Sequence, residues 1–467
     1  MMISVMPAKM SRRWAQRDDP ILAGRGTAPA PSSEKTHARR TPLPSSETRA
    51  QTLGPSMIWR NWVSNQVCRV KHFEMPSSDD DVCRTIKTAA STNLRVRVVG
   101  TGHSYTPIVP TDGVLISAER LTGIENIDPT NGSVTLRGGT RICDVGLELR
   151  SAGWALPNQG DIDLQTMSGA VSTGTHGSGD SLQCLAGPII GMRIAMGDGS
   201  IANFDASQDI DVLNAAKVCL GMLGVVLSVT MKLVPAFDLH DKIWREDFEE
   251  CMNHLDQLCQ ENRSLRVFWC PTEHSASLYS LPDTSGIGRT RSKADVCEIR
   301  TLNVTTQPSA AVEAQAGERI GPSYRIFPGS IPMPNHNECE YSVPYEDGPA
   351  VLREIRKLIQ TKHPSQIFPV EYRTVAADDI WLSPYFERKT AMISVSGAAG
   401  EDYWDFIRDC ETIFSWVKGR PHWGKLHSLG RSEIEALYPR YGDFISQRAR
   451  FDPDGRFLND YLRERFG

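Results

Sequence analysis

Apolar positions recur at two spacings along this chain, and the changes from one to the other mark out its elements. In PSSDDDVCRTIKTAAS, residues 76–91, Val82, Ile86 and Ala89 fall on one helical face behind a Ser-rich cap, with three aspartates against the positive helix end. LRVRVVG then alternates with period two and stops at Gly100, as a strand does, and GVLIS and SVTLRGG read as further short strands. ICDVGLELRSAG returns to helical spacing, with Ile142, Val145 and Leu149 on one stripe before Gly153. In GVVLSVTMKLVP the alternation resumes and Val225, Leu227, Val229, Met231 and Leu233 share a face. Residues 57–236 therefore read as one α+β domain without internal repeats.

After Pro235 the texture changes. LRVFWCPTEHSASLYSL, NECEYSVPYEDGPAVLREIRKLIQ, FPVEYRTVAADD and KTAMISVSG predict strands interleaved with helices, and EDYWDFIRDCETIFSWV predicts a helix with Phe406, Ile407, Cys410, Ile413 and Phe414 inward. A second domain is expected over 237–414, with residues 284–330, polar and rich in Gly, Pro and Ser, as a long excursion or mobile loop. Residues 415–467 are compact and well punctuated, the pattern of a segment that docks back. The first 56 residues are rich in Pro, Ser, Ala and Arg, lack apolar periodicity and are expected to be disordered. Asp18, Asp19, Glu34 and Glu47 argue against a transit peptide in that arm, and Met57 stands where ordered-looking sequence begins, as an alternative natural start.

Composition narrows the class. A chain of 467 residues, 40% hydrophobic and 23% charged, has material for more than one domain. Its net charge of −5, with basic and acidic residues nearly balanced, gives no basis for a nucleic-acid partner and favours small-molecule chemistry. Eleven scattered cysteines without a CxxC pair signal neither a disulfide framework nor a zinc site. No stretch reaches the ~20 apolar residues of a transmembrane segment. The expectation is a soluble protein of the cytoplasm, or of the mitochondrion should the N-terminal arm prove a transit peptide.

Two glycine clusters carry the candidate chemistry. In VVGTGHSYTP a strand ends in Gly-Thr-Gly-His-Ser, which is either an ordinary glycine turn or a nest of backbone N–H groups suited to a pyrophosphate. A dinucleotide GxGxxG is disfavoured, since residue 105 is Tyr and Pro107 follows. TMSGAVSTGTHGSG interleaves small residues and hydroxyls around His176, which suits close approach to a large flat ligand. Period two puts Glu371 and Arg373 on one strand face, as a surface ion pair or as a grip on a ligand. His422 and His427 lack a nearby third ligand, so no metal site is expected.

Taken together, RVVGTGHSYTP, TDGVLIS, GDIDLQTMSGAVSTGTHGSG, LGVVLSVTMKLVP, VEYRT, HWGK and DPDGRFLNDYL closely resemble the aldonolactone oxidase and alditol oxidase branch of the vanillyl-alcohol oxidase flavoproteins, over Trp59 to Gly467 and in the family's order. The resemblance implies an α+β architecture of two domains, a PCMH-type FAD-binding domain and a substrate-binding cap. It implies that Gly100, Thr101, Gly102, His103 and Ser104 embrace the FAD pyrophosphate, with His103 bonded covalently to the flavin 8α-methyl. Ser168, Gly169, Thr173, Thr175, His176 and Gly177 would follow the flavin and ribityl chain, and Val225 would lie on the adenine side. Glu371 and Arg373 would grip the hydroxyls of a polyol or lactone, Lys425 would face the pyrimidine edge of the flavin, and Ser168, Ser394 and Ser396 would complete the substrate pocket.

The implied reaction is hydride transfer from a carbinol carbon to flavin N5, followed by reoxidation with molecular oxygen to give hydrogen peroxide. A sugar 1,4-lactone of the D-arabinono type is the preferred substrate over an alditol, because MISVSG stands where some alditol-acting relatives carry a histidine and a threonine. Transfer to another electron acceptor is the alternative to oxygen, and the sequence leaves the oligomeric state open.

Overall fold

The computed structural model describes residues 53–279, 281, 287–288, 290–307, 317–328, 335–398 and 402–467. The expectation of disorder in the N-terminal arm falls, through residue 52, outside the described residues. From there a hairpin of Met57–Arg60 and Val67–Val70 leads into a three-stranded parallel sheet in the order His72–Glu74, Val114–Ser117, Val96–Val99. The helix expected after Pro76 runs Asp79–Ser91, and the Ser78 hydroxyl caps it by accepting from the Asp81 N–H at 3.2 Å. Its buried Val82, Ile86 and Ala89 pack between this sheet and a five-stranded antiparallel sheet, meeting Val96, Val114, Ala195 and Leu227. Burying Val82 and Ile86 contributes about 1.5–3 kcal/mol each.

An eight-stranded antiparallel sheet follows, in the order Glu318–Pro322, Asp238–Asp247, Val296–Thr305, Ser264–Cys270, Val370–Val375, Thr390–Ala398, His336–Pro344, Arg420–Pro421. Helices Gly348–Thr361 and Trp404–Trp416 share its core, the latter through Phe406, Ile407, Cys410, Ile413 and Phe414 as the periodicity predicts. The final segment packs against the first lobe: Ile434, Tyr438, Tyr441, Phe444, Leu462 and Phe466 lie in one core with Val134, Leu136, Ile194 and Val229 of the five-stranded sheet. No helix among the described residues is long and apolar enough to cross a membrane.

One expectation fails here. Within the supposed excursion of 284–330, Val296–Thr305 is a ten-residue strand between two others, and Glu318–Pro322 is an edge strand. Glu298 and Arg300 made the stretch read as polar surface, yet both are buried and paired across the sheet. Arg300 grips Asp241 through two bonds of 2.9 Å, and Arg245 Nε donates to Glu298 at 2.7 Å.

Candidate functional site

The strand Val96–Val99 delivers the loop Gly100–Ser104 to the wall of an open cleft. A Cβ at Gly100 would stand 2.1 Å from Thr166 Oγ1, and Gly102 adopts φ +71°, so the loop's path depends on both glycines. Three of its five carbonyls are taken: Trp62 N–H donates to Gly102 O at 3.2 Å, Trp62 Nε1 to His103 O at 3.2 Å and Asn61 Nδ2 to Ser104 O at 3.0 Å. Amide N–H groups are then the loop's capacity for an anion. Across the cleft lie Gln165, Ser168, Gly169 and Thr173, beside Gly221, Gly224 and Val226. Arg97 closes the far wall, donating to the carbonyls of Ile108, Leu220, Gly221 and Phe457 and so tying the C-terminal segment to the cleft.

His103 stands out within this loop. Both ring nitrogens are shielded from solvent and neither has a hydrogen-bond partner. Burial, helped by the nearby Lys425 cation, pulls its pKa down to about 4. An imidazole buried without hydrogen-bond partners is costly, and in the wall of the cleft it fits contact with a bound group. The residues present therefore fit FAD, with backbone amides of the loop that would meet its pyrophosphate.

A second cluster lies beneath the large sheet. Register pairs Arg266 with Arg373 and Phe268 with Glu371, and sets Ser394 opposite Glu371. Period two brings Glu371 and Arg373 to one face, with Arg373 Nε 3.4 Å from Glu371 Oε1. Arg373 Nη2 donates to Glu340 at 2.6 Å, its Nη1 lies 3.6 Å from Asp161, and Arg266 Nη1 pairs with Asp161 at 2.5 Å. Glu338 accepts from Lys425 and from Ser394 Oγ at 2.6 Å, while Ser396 Oγ meets the Tyr279 hydroxyl at 2.5 Å. Oxygen atoms of Glu338, Glu340 and Glu371 lie within 4.8 Å of one another. The HWGK loop joins this cluster to the cleft, since Gly424 O accepts from Tyr105 N–H at 2.7 Å.

Three carboxylates so close cannot share one fate. Burial works against the ionised form of Glu338, but Lys425 and His336 overcome it and hold the carboxyl far below its ordinary value. The same contest at Glu340 is won by Arg373 and His176. At Glu371 burial prevails, opposed by Arg373 and Arg266 and reinforced by Asp161 and Glu340, and its pKa is pushed up to about 7. Two fixed anions with one carboxyl that titrates near neutrality form an arrangement suited to receiving a proton.

The expected site positions divide between the cleft and the cluster at the large sheet. Val225 is buried against Val82, Ala195 and Leu227, and it is Val226 that lines the cleft. Ser168, Gly169 and Thr173 line the cleft, and His176 meets Glu340 at the large sheet. His422 lies beside His176, with ring centroids 5.7 Å apart, whereas His427 points away to the Tyr461 hydroxyl at 2.7 Å. Glu338, Glu340, Asp161 and Arg266 were missed. The signal for the first two was the E-C-E alternation in NECEYSVP, which puts both carboxylates on one face.

Residues 229–305 and 296–465 match the family model described as D-arabinono-1,4-lactone oxidase, and residues 70–205 match that of an FAD binding domain. An L-gulono-1,4-lactone dehydrogenase of Mycobacterium tuberculosis is 32% identical over 438 residues, covering 88% of this chain and all of that protein. An L-gulonolactone oxidase of Mus musculus is 28% identical, covering 87% of this chain and 98% of that protein, and an alditol oxidase of a Streptomyces species is 27% identical, covering 86% and 98%. In three dimensions a cholesterol oxidase from B. sterolicum superimposes with a TM-score of 0.73 at 14% identity, over 88% of this chain and 97% of that one, a likeness of fold.

Proposed function

The chain belongs to the D-arabinono-1,4-lactone oxidase family of FAD-dependent oxidoreductases, and from that premise we propose that it oxidises the C2 carbinol of a neutral sugar 1,4-lactone of the D-arabinono type, with molecular oxygen as the final acceptor and hydrogen peroxide as the second product. It is an FAD-dependent enzyme acting on the CH–OH group of sugar lactones. Bound FAD supplies the two-electron acceptor for the carbinol hydrogen. We assign residues 57–236 to cofactor binding, 237–414 to a cap over the substrate and 415–467 to a segment that closes the first lobe, and we place the enzyme in the cytoplasm. His103 is the covalent anchor in this reading, supported by its two idle nitrogens.

The remaining steps fall to the chain's own groups. Arg373 and Arg266 each keep a buried Nε without a hydrogen-bond partner, beside the equally unpartnered Glu371 Oε1. These donors bind and orient the substrate's oxygen atoms, and Glu371 receives the proton of the reacting hydroxyl. Lys425, paired with Glu338, supplies positive charge where negative charge grows during the transfer. The observation that carries the reading is the buried Glu371–Arg373 pair beside the Glu338–Lys425 pair, next to a cleft lined by His103. An alditol substrate is the weaker reading, because Ser394 and Ser396 are already engaged by Glu338 and Tyr279.

A panel of sugar 1,4-lactones and alditols, read by peroxide release and by anaerobic bleaching of the flavin absorbance, tests this. Bleaching and peroxide with lactones are expected. Bleaching without peroxide assigns another acceptor, response to alditols alone overturns the substrate, and no bleaching with either class overturns the function.

A further inference from the structure

The direction of two hydrogen bonds fixes a proton that no hydrogen position records. His176 Nδ1 lies 2.8 Å from the carbonyl oxygen of Gly177. A carbonyl only accepts, so Nδ1 carries a hydrogen, and in a neutral ring Nε2 would then be a bare lone pair. That Nε2 faces Glu340 Oε1 at 3.2 Å, and the carboxylate oxygen is an acceptor as well. Two acceptors at this separation inside a sealed site repel, and both His176 and Glu340 are buried. One proton between them turns the contact into a charge-assisted bond.

From this we infer that His176 and Glu340 hold one proton between them, so that Arg373, Glu340 and His176 form a buried row of cation, anion and cation in which Glu340 is the positioning residue for Arg373. The proton resides on His176, because Arg373 Nη2 already donates to the same Glu340 oxygen at 2.6 Å and favours its anionic form. The other neighbours agree. His422 accepts the Gly424 N–H at its Nδ1, 3.0 Å away, so its single proton is on Nε2, while Glu340 Oε2 has no hydrogen-bond partner. Tyr385 presents only its ring edge to His176, at 5.5 Å between centroids, and its hydroxyl is spent on Gly174 O. The same tautomer argument makes His176, Glu340 and His422 a poor metal tripod although their ligand atoms lie within 4.8 Å, since a metal on His422 Nε2 would set an Nδ1–H against the Gly424 N–H.

The consequence for the reaction rests on the lactone reading. With Glu340 and Asp161 holding its two terminal nitrogens, Arg373 keeps one orientation and leaves Nε for the substrate. The test uses the purified full-length protein, selectively labelled with nitrogen-15 histidine, with His176→Gln to assign the resonance. Both ring nitrogens of His176 are expected to be protonated at neutral pH, and Glu340→Gln should return the ring to one proton on Nδ1. A bare Nε2 in the wild-type protein, or an imidazolium that persists in Glu340→Gln, overturns the shared proton whatever the substrate proves to be. In kinetics, Glu340→Gln should raise the lactone KM about tenfold or more with a smaller change in kcat, and Glu340→Asp should recover part of it. A kcat loss without a KM change overturns the positioning role, while a wild-type protein inert to every lactone removes the substrate reading and leaves the histidine result standing.

Discussion

Glu371 offers the sharpest test, because burial has placed its titration where an assay can follow it. Its carboxyl moves from an ordinary value of 4.5 to about 7, first through loss of water, then through the pull of Arg373 and Arg266 against the push of Asp161 and Glu340. A proton acceptor must be ionised, so the reactive fraction falls about tenfold for each pH unit below that value. The assay is anaerobic rapid mixing with a sugar lactone, following flavin bleaching from about pH 5 to about pH 8. The second-order rate of bleaching should climb about tenfold per unit and level off above about 7. Glu371→Gln should lower the plateau by roughly 10²- to 10⁴-fold and abolish the limb.

Stability supplies an independent reading of the same group. Between 4.5 and about 7 the folded protein keeps a proton that the unfolded chain has lost, so Glu371 contributes fully below 4.5 and its contribution disappears as pH rises through 7. The shift corresponds to on the order of 3 kcal/mol. Melting temperature should therefore decline more steeply with rising pH in the wild-type protein than in Glu371→Gln. An acid limb of unchanged position in the Gln variant, or identical melting slopes, would refute the assignment.

Other outcomes follow from single contacts. Acid-precipitated wild-type protein should stay yellow, with the FAD mass on its His103 peptide, and His103→Ala should precipitate colourless; a colourless wild-type precipitate removes the tether. Lys425→Met leaves Glu338 a buried carboxylate without its cation and should cost on the order of 3–5 kcal/mol in unfolding, most of it regained in Lys425→Met with Glu338→Gln; equal stability of the single and double variants would contradict that pairing. In Gly100→Ala the new Cβ would press on Thr166 Oγ1, and the flavin-to-protein absorbance ratio should fall, whereas full loading would show that the loop does not need the close approach.

What could be read beforehand divides along a physical line. Helix Asp79–Ser91 and strand Val96–Val99 were legible because each shows one face to a core and obeys one period. The nest at Gly100–Ser104 was visible for a related reason, since its glycines answer to local backbone geometry. Val296–Thr305 was not, because Glu298 and Arg300 are neutralised by Arg245 and Asp241, which lie more than fifty residues away. The single face expected for Val225, Leu227, Val229, Met231 and Leu233 is divided: pairing with Ile189–Ala195 shifts register between Val226 and Ser228, so Val225 and Leu227 enter one core and Val229, Met231 and Leu233 another. Glu371 and Arg373 were found as a pair, but their partners Asp161, Arg266 and Glu340 come from three other segments, and the charge balance of the site exists only once these converge.

That balance points to a neutral ligand and can be tested by charging it. Counting the proton on His176, the cations Arg266, Arg373, Lys425 and His176 face the anions Asp161, Glu338, Glu340 and Glu371, and the cluster is neutral while Glu371 is ionised. Outside these eight groups, Arg300 and Arg319 share the carboxylate of Asp241, and Arg300 Nη1 also reaches Asp161 at 3.8 Å. A lactone brings no charge, whereas its ring-opened aldonate brings a carboxylate that must lie beside the ionised Glu371 and compete for Arg266 and Arg373, each of which already faces an anion. Below about pH 7 the protonation of Glu371 leaves one positive charge in excess, and the aldonate should then compete with the lactone. Its inhibition constant, measured against lactone turnover, should rise about tenfold per unit above the Glu371 titration and become independent of pH in Glu371→Gln. Equal inhibition at about pH 6 and about pH 8 would mean that the substrate's carbonyl end does not meet this cluster. The arginines would then serve the cap alone, and recognition of the lactone would have to be sought along the cleft wall, at Ser168 and Thr173.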